Sequence, residues 1–87
     1  MKKETAHVYW VNEQAITLQA PAPVSLTHQQ RIWALGATFQ ARTGITEIVP
    51  GMNNLTLAFD EALVDGEALI DGLKLGWQHI AVEAQSG

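Results

Sequence analysis

Three histidines, nine acidic residues and two serines are the groups in this 87-residue chain that could hold a metal, move a proton or attack a carbonyl. His7, His28 and His79 are spread over three different segments, whereas a zinc or iron site needs three or four converging ligands, two of them commonly spaced as in His-Glu-x-x-His. A structural or solvated role is expected for each histidine, and no metal site is predicted. Asp60, Glu61, Asp65, Glu67 and Asp71 gather around the last loop and the start of the last helical segment. Acids there act as caps and partners of the helix dipole, and a solvated cluster does not split pKa values as an acid–base pair requires. Neither Ser25 nor Ser86 lies in Gly-x-Ser-x-Gly, and Gly51 stands alone without Gly-x-Gly-x-x-Gly or Gly-Lys-Ser/Thr, so neither an acyl-enzyme nor a phosphate cradle is indicated. No catalytic residue and no bound cofactor are predicted for this chain.

Recognition chemistry is better supplied. Pro50-Gly51 forms turns, and Asn53 and Asn54 tolerate unusual backbone angles and bond neighbouring peptide groups. With Met52 they make a sharp corner, Pro50 to Asn54, that offers amide bonding and no proton-transfer group. Trp33 and Arg31 are of the residue types enriched at binding hot spots. Trp33 lies about 100° from Ile32 around a helix, at the margin of the buried side, with burial slightly favoured. Trp77 is in register with a core stripe. The corner, together with Arg31 and Trp33, is the predicted partner-binding or ligand-binding surface, and replacing Asn53 and Asn54 with Ala is expected to weaken assembly without unfolding the domain.

These residues must be held by regular elements. His7 to Val11 is rich in β-branched and aromatic residues, and Ala15 to Gln19 alternates, which predicts a hairpin through Asn12-Glu13-Gln14. Ala20-Pro21-Ala22-Pro23 ends the sheet, because proline lacks the donor a central strand needs. Ser25 or Thr27 caps a helix whose buried side carries Ile32, Leu35, Gly36 and Phe39, with Gln29, Arg31, Gln40 and Arg42 elsewhere and Gly44 just past its end. Ile45 to Val49 is a third strand. After the corner, Leu55, Leu57 and Phe59 alternate with Thr56 and Ala58 as a fourth, closed by Asp60. Asp65 caps a second helix with Leu69, Ile70, Leu73, Trp77, Ile80 and Ala84 on one stripe, Gly72 and Gly76 marking close packing, and a frayed tail at Gln85-Ser86-Gly87.

The predicted fold is α+β, a two-layer β-β-α-β-β-α sandwich with a four-stranded antiparallel sheet and both helices on one face. Its other face is open to solvent or a partner, with Tyr9, Val11, Thr17, Thr56 and Ala58 as candidate residues there. At this length only about 60% of the unfolded surface can be buried, so one domain with a thin margin is expected. No apolar run approaches a membrane span. The absence of cysteine excludes a disulfide scaffold, and Met1-Lys2-Lys3-Glu4 lacks a signal-peptide core, so a cytoplasmic protein is expected. A net charge of −4 opposes phosphate binding, so nucleic acid is not expected as a partner.

The segment Ile48-Val49-Pro50-Gly51-Met52-Asn53-Asn54-Leu55-Thr56, with Val24-Ser25-Leu26-Thr27 and Gln30-Arg31-Ile32-Trp33-Ala34-Leu35 upstream, resembles the amino-terminal domain of the B-type subunit of 5-oxoprolinase. That family is also known as allophanate hydrolase subunit 1 and as the KipI type of sensor-kinase inhibitor. Many members carry an aromatic and a basic residue where this chain has Met52 and Asn53. The resemblance covers roughly residues 7 to 82 and implies a sandwich compared with the fold of pterin carbinolamine dehydratase, although the clustered histidines of that enzyme have no counterpart here. It further implies a part in an ATP-dependent opening of 5-oxoproline to glutamate with two companion subunits, the ATP being used by the complex and not by this domain. A cyclophilin-like domain follows in the family; this sequence stops at Gly87, so an excised amino-terminal domain or a truncated relative is expected, one that binds rather than catalyses. The rival role that the resemblance brings is inhibition of a sensor kinase, and a stand-alone homodimer stays open.

Overall fold

The structure, a computed structural model, describes residues 6–21 and 25–86, with side chains described as far as Ile80. Ala22, Pro23 and Val24, Gly87 and the side chain of Ala84 lie outside the described residues, and with them part of the proline break, of the upstream motif and of the tail. The elements are β1 (His7–Asn12), β2 (Ala15–Gln19), α1 (Leu26–Gln40), β3 (Ile45–Gly51), β4 (Asn54–Phe59) and α2 (Gly66–Ser86). The sheet is antiparallel with the order β1-β2-β4-β3, α1 lies over β3 and β4, and α2 lies over β1 and β2.

Register explains the division of the sheet into two faces. Val8 pairs with Leu18 and Trp10 with Ile16, while Ile16 pairs with Leu57 and Leu57 with Ile48. Because side chains alternate across a strand, these rows all point toward the helices. Ile16, Leu18, Leu55 and Leu57 meet Ile32, Leu35, Phe39, Leu69, Leu73 and Trp77 in one core. Each such fully buried side chain contributes about 1.5–3 kcal/mol relative to exposure. Trp10 belongs to this face as well, tilted against Phe59 with ring centroids 6.1 Å apart. The intervening rows, Tyr9–Thr17–Thr56–Val49 among them, face away from the helices.

Both helix starts are set by side-chain caps. Of the two candidates at α1, Ser25 is the cap: its Oγ accepts from the His28 N–H at 3.1 Å and its backbone is extended. Asp65 Oδ1 accepts from the Glu67 N–H at 3.1 Å, and its carbonyl accepts from Leu69.

Several expectations are corrected by the packing. Arg31 is buried instead of lying off the core side of α1, because its planar guanidinium stacks on Trp77 from α2. Trp33 is 56% exposed and not core, since α2 covers the side of α1 that carries Leu35 and leaves Trp33 outside. α1 stops at Gln40 with Ala41 as its C-cap, so Gly44, at φ 92°, shapes the turn into β3 and does not end the helix. Strand β3 runs two residues further than expected, through Pro50 to Gly51, which edge position allows because proline's missing donor can face solvent. Gly76 marks the close approach: a Cβ there would come within 2.6 Å of Leu35 Cδ1. Gly72 does not, since a Cβ would sit at 3.7–3.9 Å from Arg42 and Phe39, an ordinary contact.

Candidate functional site

The corner is a two-residue connection, Met52-Asn53, closed by the Gly51–Asn54 pair. Asn53 has φ 65°, a left-handed conformation that asparagine accepts better than other side-chain-bearing residues. The β3–β4 hairpin is then anchored to the rest of the fold through this residue. Its backbone carbonyl accepts from the Ala20 N–H at 2.9 Å and from Gln19 Nε2 at 3.3 Å. Its own N–H donates to Gln29 Oε1 at 3.0 Å, and its side-chain Nδ2 donates to the carbonyls of Ala20 (3.1 Å) and Pro21 (3.4 Å). Gln29 completes the tie by donating Nε2 to the Gly51 carbonyl at 2.9 Å.

This network decides which corner residues face outward. Asn53 is 3% exposed and its amide nitrogen is engaged with the main chain, so it builds the corner and is not offered to a ligand. Met52 projects instead, at 77% exposure, and Pro50 is also exposed. Asn54 is half-buried at the start of β4, with its side-chain oxygen against Gly51.

Arg31 and Trp33, two positions apart on α1, separate completely. The Arg31 guanidinium lies 3.6 Å from the centre of the Trp77 ring and donates Nη2 to the Trp77 carbonyl at 3.1 Å. His28 packs on the same ring, with centroids 5.8 Å apart. Arg31 therefore joins the two helices and is not a surface contact. Trp33 stands at the wall of a shallow groove of about 230 Å³ between α1 and the edge strand β3, lined by Trp33, Gly36, Ala37, Gln40, Ile48 and Pro50. Gly36 keeps its floor low, since any Cβ there would press on Leu55 and Ile48 at 3.3–3.4 Å. Pro50 thus links the corner to the groove, and Gln29, one turn before Trp33, fixes the corner from the same helix.

The outer side of α1 carries no formal charge. Arg31 is the only Lys, Arg, Asp or Glu in Leu26–Gln40, and it is buried, while Leu26 (70%) and Trp33 (56%) are exposed beside Gln30, Ala34, Ala37 and Gln40. A surface helix normally shows its charges there. None of the groove residues is ionisable, and among the described residues no group of three His, Asp or Glu could hold a metal. The arrangement offers an aromatic anchor, apolar walls and amide hydrogen bonding, the composition of a contact surface. No described helix is long and apolar enough to cross a membrane.

Sequence reasoning missed Gln29, which it placed on the polar side of the helix. The available signal was its dual capacity as donor and acceptor one turn after the cap, which suits a neighbouring peptide group. It also assigned Gly36 only to the buried side and did not see it as the floor of a groove.

A two-layer sandwich of this topology, with one helical layer and a tied β3–β4 corner, defines the class as an α+β domain of the β-β-α-β-β-α type. The family model for the carboxyltransferase domain, subdomain C and D, matches residues 6–87, and the chain belongs to that family. Among its relatives, the B-type subunit of 5-oxoprolinase from Haemophilus influenzae is 34% identical over 77 residues, 88% of this chain and 36% of that protein. The protein of the same name from Escherichia coli O157:H7 is 37% identical over 54 residues, 62% of this chain and 25% of that protein. The chain thus spans about a third or less of the length of the curated relatives it matches. The amino-terminal domain of the histidine kinase inhibitor KipI from Bacillus subtilis shares the fold, with a TM-score of 0.70 over 93% of this chain and 92% of that one, at 16% identity.

Proposed function

We propose that this chain is a non-catalytic contact domain like that of the B-type 5-oxoprolinase subunits, and that it docks companion hydrolase subunits on the α1–β3 groove and the adjoining corner. The observation that carries this reading is the charge-free outer side of α1, where exposed Trp33 borders a groove with no ionisable wall. Burying such a surface costs little desolvation of charge, whereas a reaction site would need a group to move protons or hold an anion. In this reading ATP is bound and used by the companions, the setting is cytoplasmic, and this domain contributes position. The names of the two relatives, each one subunit of a 5-oxoprolinase, agree with it.

Reconstitution tests the role. ATP-dependent hydrolysis of 5-oxoproline by companion 5-oxoprolinase subunits is expected to require the protein that contains this domain. It should fall at least about tenfold with Trp33→Asp, the scale set by loss of a hot-spot aromatic. Hydrolysis indifferent to the protein, together with inhibition of a sensor kinase's autophosphorylation by it, would replace this role with a regulatory one.

A further inference from the structure

A second recess, of about 230 Å³, opens where the α1–β3 connection meets the loop before α2, and it shares no residue with the groove. Two ties hold its walls. The Gly44 carbonyl accepts from the Asp60 N–H at 2.8 Å, and the Asp60 carbonyl accepts from Leu63 and Val64 at 2.9 Å each. Gly44 lies so close to Val64 that any Cβ there would run into that side chain. Ile45, Val64 and Leu69 give the recess an apolar lining, and Leu69 belongs to the core.

Arg42, Thr43 and Asp65 bring two opposite charges and a hydroxyl to the same recess. The charges do not meet. The Arg42 guanidinium is held over the Phe39 ring, 4.4 Å from its centre, while Asp65 Oδ1 accepts from the Glu67 N–H as the cap of α2. Among the described residues neither side chain is in an ion pair. Stacking leaves the edge of the guanidinium able to donate, and capping uses one of the several lone-pair positions of the carboxylate. The recess therefore presents a cation and an anion, each fixed by its own neighbour, beside an apolar wall.

That combination selects among ligands by charge. A phosphate would bring two negative charges to one arginine and be repelled by Asp65, and a simple carboxylic acid would leave Asp65 unmatched. A molecule with one charge of each sign and an apolar body satisfies every wall. We infer that the recess binds a small zwitterion, an apolar α-amino acid, with its carboxylate on Arg42, its ammonium on Asp65 and its side chain against Ile45, Val64 and Leu69. The planar guanidinium suits a carboxylate, and the Thr43 hydroxyl can bond either pole. A volume of about 230 Å³ lies below the roughly 300–1,000 Å³ of pockets for drug-sized ligands, as a single amino acid requires. Arg42 and Asp65 are both exposed, and exposed ion pairs are weak, so the dissociation constant is roughly 1–10 mM.

NMR titration of the isotope-labelled chain with L-leucine, up to about 50 mM at fixed pH and ionic strength, tests this in the range that weak binding requires. The backbone N–H signals of Thr43 and Val64 are expected to shift together and to saturate. L-leucinamide, which lacks the carboxylate, and isocaproate, which lacks the ammonium, should each bind at least about fivefold more weakly, the scale of one exposed ion pair. Arg42→Gln and Asp65→Asn should each weaken L-leucine by a similar factor. Asparagine caps a helix as aspartate does, and both sites are exposed, so each variant should keep the wild-type circular dichroism spectrum. Shifts that never saturate, analogues that bind as tightly as L-leucine, or two variants that bind it like wild type would each overturn the inference. Trp33→Asp should leave L-leucine binding unchanged, so failure here is separable from failure at the groove.

Discussion

Asn53→Ala is expected to lower the unfolding free energy by about 2–4 kcal/mol, measured by urea denaturation. One part is conformational, since φ 65° suits asparagine and costs an alanine of the order of 1 kcal/mol. The other part is polar. Loss of Nδ2 removes donors from the carbonyls of Ala20 and Pro21, and Ala20 is only 3% exposed. Leaving a buried carbonyl unmatched costs about 1–3 kcal/mol. Asn53→Gly separates the two parts, because glycine keeps the backbone angle and loses only the bonds; it should fall between wild type and Asn53→Ala. Asn54→Ala should cost less than about 1 kcal/mol, as for a half-buried residue outside the network. Replacement of Asn53 and Asn54 with Ala, expected to leave the domain folded, therefore carries a stability cost that falls on Asn53, which holds the hairpin to β2 and α1.

Arg31→Ala is expected to cost about as much, about 2–4 kcal/mol, again by urea denaturation. A desolvated guanidinium over a tryptophan face is worth about 2 kcal/mol or more, and a hydrogen bond from a charged donor about 1.5–3 kcal/mol, in overlapping contributions. Both act between α1 and α2, at 3.6 Å over the Trp77 ring and 3.1 Å to its carbonyl. Arg31→Met should recover part of the loss by refilling the space with an apolar stem, whereas Arg31→Lys should recover less because it cannot stack as a plane. For a chain of this length total stability is about 4–13 kcal/mol, so either alanine variant removes a large share of it. An Arg31→Ala protein as stable as wild type would remove the helix-to-helix role assigned here.

The element order and the open-face residues were legible because alternation and helical spacing are local signals. Leu55 to Phe59 had one reading as a strand, and once its register with Thr17 is set the faces of the whole sheet follow. The site was legible only in part. The Pro50 to Asn54 corner showed itself by its turn chemistry, whereas Trp33 showed only its place at the helix margin, and the burial favoured for it there is not what the fold gives. Which of Arg31 and Trp33 would turn inward depends on Trp77, 46 and 44 positions away, and no local pattern reports that pairing. Gln29 and Gly51 likewise meet across 22 positions. Long-range partners choose between two side chains that local periodicity leaves nearly equivalent.

On the proposed reading, the α1–β3 groove with Trp33 receives a companion hydrolase. Isothermal titration of the companion hydrolase subunits into this chain, and into its Trp33→Asp and Leu75→Lys variants, tests it most directly, both substitutions being at exposed positions. Saturable binding by wild type and Leu75→Lys, weakened at least about thirtyfold by Trp33→Asp, corresponding to about 2 kcal/mol, is the predicted result. Binding of equal strength in all three proteins, or none in any, would contradict it.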